Sequence, residues 1–244
     1  SLGLLLAAWL LLIVVWALLH GAIVPRVQDW RPQLERYASQ ALGVAVRVGA
    51  LSARSEGLLP TLELHDVALL NPQGQVALQL PRVVLALSPR ALLQRGFAQL
   101  YIERPQLDVE RAADGQVFIA GLPFSPGAEG DGAAADWLFS QAEVVVRDGT
   151  LRWRDALRPQ APPLALQAVD IVLRNRPWRH ALRLDATPPP DWGQRFTLMG
   201  QLHEPLLSAH AGAWQRWSGQ LYAWFPHVDV AQLHQYLHLQ DAAL

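Results

Sequence analysis

The chain lacks cysteine and lysine altogether. Without cysteine there is no disulfide, no thiolate metal ligand and no thiol nucleophile, and the compartment is left open by that absence. Without lysine, all 20 basic residues are arginine. That reads as a compositional bias of the kind a GC-rich genome imposes; the sharper alternative is a set of phosphate-reading arginines, since a guanidinium suits phosphate. Net charge is also nearly absent. The formal value is -1, which argues against a nucleic-acid binder, because such a chain carries a basic patch.

Sequence motifs of catalysis are missing too. There is no G-x-S-x-G elbow, no phosphate-binding P-loop, no G-x-G-x-x-G and no H-E-x-x-H. His234 and His238 are four apart on a C-terminal helical pattern, but no carboxylate stands at a matching position to complete a metal site. His203, His210 and His227 are scattered, and Asp148 and Asp155 read as conformational residues. Trp153, Trp178, Trp192, Trp214, Trp217 and Trp224 could stack on carbohydrate, but their irregular spacing fits core packing better. Neither a metal, a cofactor nor an enzyme activity is expected.

What remains is hydrophobic patterning. The 244 residues are 51% hydrophobic and 17% charged, enough for one large domain or two small ones. Residues 2–24, LGLLLAAWLLLIVVWALLHGAIV, carry no formal charge apart from His20 if protonated. As a helix they would run roughly 35 Å at 1.5 Å per residue, enough to cross a hydrocarbon core of ~30 Å. A secretory signal is the rival, but its apolar region is usually shorter and ends at small residues. Residues 1–25 are therefore read as a transmembrane anchor. The first residue is not Met and the closing QDAAL has no terminating element, so a truncated piece of a longer chain is expected.

DWRPQLERYASQALG, residues 29–43, has an amphipathic helical pattern with Leu34, Tyr37, Ala38, Ala41 and Leu42 on one face. Asp29 is the expected N-cap, Pro32 sits in the first turn, and Gly43 is a C-terminal stop. Residues 26–43 read as a helix capping a sheet; a helix lying on the membrane interface is the alternative.

From residue 44 to 244 the period changes to two. Leu62 and Leu64; Val76, Leu78 and Leu80; Val83 and Leu85; Leu100 and Ile102; Leu107 and Val109; Val144 and Val146; Leu151 and Trp153 all fall on one face of successive candidate strands. One-residue phase slips near Asp66, at Pro81 and at Arg104-Pro105 point to bulges or corners. Asp148-Gly149 is a dipeptide favoured in two-residue turns, so residues 141–156 read as a hairpin. Residues 88–96 and 229–239 read as short helices, and the Gly-, Ala- and Pro-rich stretch at about 121–136 as a mobile loop. The fold class expected is mainly β, mostly antiparallel, with too few helices to cover the apolar face. Such a sheet either closes on itself or curls around a groove.

The anchor followed by LSARSEGLLPTLELHDVALLNPQG and LPRVVLALSPRALLQRGFAQLYIERPQLDVERAADGQ resembles the start of AsmA-like proteins. AEVVVRDGTLRWRD (142–155) and WSGQLYAWFPHVDVAQLHQYL (217–237) are similar to the YhdP branch of that family. The resemblance covers nearly the whole chain. It implies a bridge-like lipid transfer protein: single-pass in the inner membrane of a Gram-negative bacterium, its bulk in the periplasm. Such a protein conducts phospholipid toward the outer membrane along a β-groove whose lining would be the apolar face named above. The implied partners are phospholipid, the inner membrane through residues 2–24, and other envelope proteins. Transfer along an apolar face needs no nucleophile or metal. The competing reading is a membrane-anchored structural or interaction module that regulates envelope biogenesis and carries no lipid.

Overall fold

The computed structural model describes residues 28–56, 59–86, 97–124, 131–161, 164–205, 216–227 and 229. The apolar run 2–24 and the helices expected at 88–96 and, Asp229 apart, at 229–239 lie outside the described residues. Among the described residues no helix is long and apolar enough to cross a membrane.

The architecture of the described residues is mainly β, a single open mixed sheet with two helices. After α1 (Arg31–Leu42) come β1 (Ala45–Glu56), β2 (Leu59–Leu70), β3 (Val76–Ala86), β4 (Gln99–Glu103), β5 (Gln106–Arg111), β6 (Val117–Ile119) and β7 (Leu122–Phe124). Helix α2 (Asp131–Ser140) precedes β8 (Glu143–Asp155), β9 (Leu164–Arg176), β10 (Arg179–Thr187), β11 (Phe196–His203) and β12 (Ser218–Trp224). The main path runs β1-β2-β3-β4-β8-β9-β10-β11-β12, with β5, β6 and β7 branching from it. Among the described strands every pairing is antiparallel except those of β8 with β4 and then β5, which are parallel.

That double pairing corrects the expected hairpin at 141–156. Residues Glu143–Asp155 form one continuous strand through Asp148-Gly149. Asp148 does adopt the positive φ of a turn residue, 52°, but inside a bulge. The reason is tertiary: β8 must stay extended to hold β4 at one half, β5 at the other, and β9 along its far side.

The bulge on β8 belongs to a line of irregularities crossing five strands and the β4–β5 junction. On β1 it is Gly49, where an added Cβ would come within 3.0 Å of Asp66 Cβ and 3.1 Å of the His65 carbonyl. On β2 it is Asp66, φ 52°, between the His65–Arg82 and Val67–Leu80 pairs. Pro81 follows on β3. Arg104, φ 50°, separates β4 from β5 and donates its backbone N–H to the Arg147 carbonyl at 2.8 Å. Asp148 donates its N–H to Asp170 Oδ1 at 3.0 Å, and Ala168 on β9 has φ 46°. Each inserts a one-residue slip, and a bulge bends and twists its strand. Because the slips are in register, each of these strands changes phase along one crease and the apolar face stays continuous across it.

The two helices were unequally readable. α1 forms as expected, with Pro32 in its first turn and Gly43 left-handed at φ 70°. Its N-cap position is taken by Trp30, without a side-chain cap, so the expected Asp29 cap is not made. Residues 131–136, expected within a loop, begin α2.

Helix α1 lies along β1, on the edge where no described strand pairs. Gln28 Nε2 donates to the Leu51 carbonyl, and Arg31 Nη1 to the Gly49 carbonyl at 3.1 Å. The Val48 N–H donates to Glu35 Oε1 at 2.7 Å, and the Val46 N–H to Ser39 Oγ at 2.9 Å. An unpaired edge is a template for unwanted strand addition, and here it is blunted by side chains. Glu35→Ala leaves the Val48 N–H without its acceptor and should cost about 1–3 kcal/mol. Faster hydrogen exchange at Val48, ahead of global unfolding, is the measurement that checks it.

Candidate functional site

The register lays the apolar residues out as rungs. Leu62 pairs with Leu85, Leu85 with Leu100, Leu100 with Val144, Val144 with Leu173, and Leu173 with Leu182. The next rung runs Leu51, Leu64, Val83, Ile102, Val146, Ile171, Leu184 and Leu198. Beyond the crease Leu107, Leu151 and Leu166 make one rung, and Val109, Trp153 and Leu164 another. Val67–Leu80 and Leu69–Leu78 continue the face on β2 and β3. The residues singled out by alternation thus share one face of one sheet. Leu164, Leu166, Ile171, Leu184 and Leu198 extend it and were legible by the same signal.

Cover over that face is uneven. Leu62, Leu64, Leu80, Val83, Leu85, Leu100 and Val144 are buried in one hydrophobic cluster with Val46, Val48, Leu51, Val67 and Leu173. Leu34, Ala38 and Leu42 of α1, and Trp137, Leu138 and Phe139 of α2, pack onto this cluster. Phe139 also meets the His180 and Trp217 rings edge-on, with centroids at 5.6 and 4.6 Å, and those two rings stack at 3.9 Å. This part of the face is a filled core. Leu78 and Ile102 pack partly buried against it, while Val76, at 59% exposure, stands at its margin. By contrast Leu107, Val109, Val146, Leu151 and Trp153 are half-buried, as are Leu164 and Leu166. Beyond the crease, the rungs of β5, β8 and β9 form the open apolar surface of the site.

That surface ends on an ion pair. Arg111 and Asp155 face each other one rung past Val109 and Trp153, with Arg111 Nε donating to Asp155 Oδ1 at 2.9 Å. The Arg111 guanidinium holds the buried Asp155 carboxyl below the usual carboxylate range, against the opposing effect of burial.

The opposite face, which also holds buried Val145, carries a polar network that the sequence reading did not find, because alternation says only that these positions point away from the apolar side. Glu63 is 4% exposed. It lies 2.5 Å from Arg82 Nε, 3.1 Å from Arg54 Nε and 3.4 Å from His65 Nε2, and Arg82 reaches on to Glu103 at 2.9 Å. The hydrogen bond from Arg82 is the main cause of a lowered Glu63 pKa, outweighing burial, which raises it. A depressed carboxylate pKa contributes stability that is complete above the unfolded value, near 4.5, and lost as pH falls through the folded value. Glu63→Gln should therefore lower stability by about 1–3 kcal/mol at neutral pH. It should also make the stability profile flatter below pH 4.5, as urea denaturation at several pH values would reveal.

A family model described as YhdP protein matches residues 1–243. The chain is 36% identical over 89 residues to the intermembrane phospholipid transporter YhdP of Escherichia coli (strain K12). That alignment takes in 35% of this chain and 7% of the relative, so the chain spans a small part of that protein's length.

Proposed function

The chain belongs to the YhdP family, and we propose that it forms the membrane-proximal end of a conduit for phospholipid between the inner and outer membranes. Residues 2–24 are the single-pass inner-membrane anchor, and residues 26–244 lie in the periplasm. The protein is not an enzyme; it offers a surface along which acyl chains move without a covalent step. Phospholipid is the cargo, and other envelope proteins are its partners.

One observation carries this reading: a register-matched apolar face that is half-buried beyond the crease, at Leu107, Val109, Leu151 and Trp153. An acyl chain in water costs ~0.8 kcal/mol per CH₂, so a lipid leaving a bilayer needs continuous apolar contact. The rungs of β5, β8 and β9 supply it, whereas the helix-covered rungs from Leu62 to Leu173 act as the floor that holds the sheet together. The lipid path is accordingly narrower than the full alternating face. The covered cluster favours a second reading for that region alone, a structural cap without cargo.

The test is a photo-crosslinking residue placed at Leu107, Leu151, Leu85 or Arg152 in cells, with adducts identified by mass spectrometry. Phospholipid should attach at Leu107 and Leu151, and not at buried Leu85 or at Arg152 on the opposite face. Folded, abundant protein without adducts at Leu107 and Leu151 would favour the anchored interaction module.

A further inference from the structure

We propose that the outer side of α1 is seated in the lipid headgroup layer, with Trp30 and Tyr37 as its interfacial anchors. This rests on the reading of residues 2–24 as a membrane span.

Three sides of the helix have different neighbours. Leu34, Ala38 and Leu42 turn to the hydrophobic cluster. Arg31, Glu35 and Ser39 bond to the β1 edge. The remaining side carries Trp30, 42% exposed, and Tyr37, 40% exposed. Together with Gln33 and Leu34 they line a shallow apolar depression. Seven residues are about two helical turns, so the two rings stand on one side roughly 10 Å apart. Rings with an apolar body and a polar tip are the side chains that favour the membrane–water boundary.

Position supplies the occupant. Val24, the end of the apolar run, is six residues before Trp30. Even fully extended that segment spans no more than about 22 Å, so α1 cannot leave the vicinity of the bilayer. Charge does not oppose the placement: Glu35 is turned to the Val48 N–H, and exposed Arg36 and Asp29 offset each other. With α1 in the membrane plane, β1 lies parallel to the surface, since it is bonded along its length to the helix. Successive strands are then added away from the bilayer.

The absence of cysteine makes the test direct. Trp30→Cys, Tyr37→Cys and, as control, Arg152→Cys are each labelled with an environment-sensitive nitrobenzoxadiazole dye. The full chain is then reconstituted in vesicles of phosphatidylethanolamine and phosphatidylglycerol. Labels at positions 30 and 37 should emit to the blue of the label at 152 and be quenched by headgroup spin-labelled lipid. Aqueous iodide should quench them several-fold less than the control. As a label-free check, brominated lipid should quench the tryptophan emission of the native chain more than that of Trp30→Phe. Equal iodide access at all three sites, in protein that stays with the vesicles through carbonate extraction, overturns this inference and leaves the anchor standing. Release by carbonate overturns both.

Discussion

If the open rungs carry phospholipid as proposed, a Leu151→Asp chain will fold and will hold far less of it. Leu151 is a half-buried member of the rung formed with Leu107 and Leu166. A carboxylate there can reach water while the face is empty, so the cost to folding is small. Once an acyl chain covers the rung, the carboxylate is desolvated without a partner, which costs several kcal/mol. A loss of only 1.4 kcal/mol is already tenfold in occupancy. Phospholipid adducts at a probe on Leu107 should fall at least tenfold, with the unfolding transition almost unmoved. Undiminished adducts would mean that lipid does not pass over β5 and β8.

The second large effect runs the other way, on stability and not on cargo. Leu51 has 0% exposure and opposes Leu64 in the cluster beneath α1. Truncation to alanine removes its contacts and leaves a cavity between sheet and helix, at about 2–5 kcal/mol. For a domain with a total stability of roughly 5–15 kcal/mol, that is a large fraction. Leu107→Ala, at a half-buried site, should cost well under half as much. Denaturant midpoints of the two variants, measured side by side, check the division between floor and open surface. Equal losses would show that the open rungs are packed as tightly as the covered ones.

That division explains what could be read from the sequence. Alternation places a side chain on a face, and the strand register bears this out from Leu62 across to Leu198. It carries no information about what covers the face. The covering is decided by α1 and by α2, whose Trp137, Leu138 and Phe139 reach the cluster. The first residues of α2, beginning Asp131-Gly132, follow a Gly-rich stretch that looks like a loop. The Asp148-Gly149 dipeptide misled for a related reason. Its local preference for a positive φ is real and is used, but the parallel neighbours β4 and β5 turn a would-be reversal into a bulge within a straight-through strand. The slips at Asp66 and Arg104 were legible as bulges because the apolar phase changes there; their alignment into one crease depends on pairings between distant segments, which no single strand reveals. Glu63 was missed because a lone carboxylate inside a strand gives no hint of the arginines that Arg54 and Arg82 bring from its two neighbours.

The helix that covers the β1 edge bears on the order of events during synthesis. A chain emerging N-terminus first delivers α1 before β1, then β2 and β3 as adjacent antiparallel partners. The blunted edge can form as soon as its strand does, and β1 through β3 need only nearest-neighbour pairing. From then on the growing sheet offers one reactive border, not two, to other chains. The hydrogen bonds made by Gln28, Arg31, Glu35 and Ser39 thus leave β2 and β3 to extend the sheet from its other border.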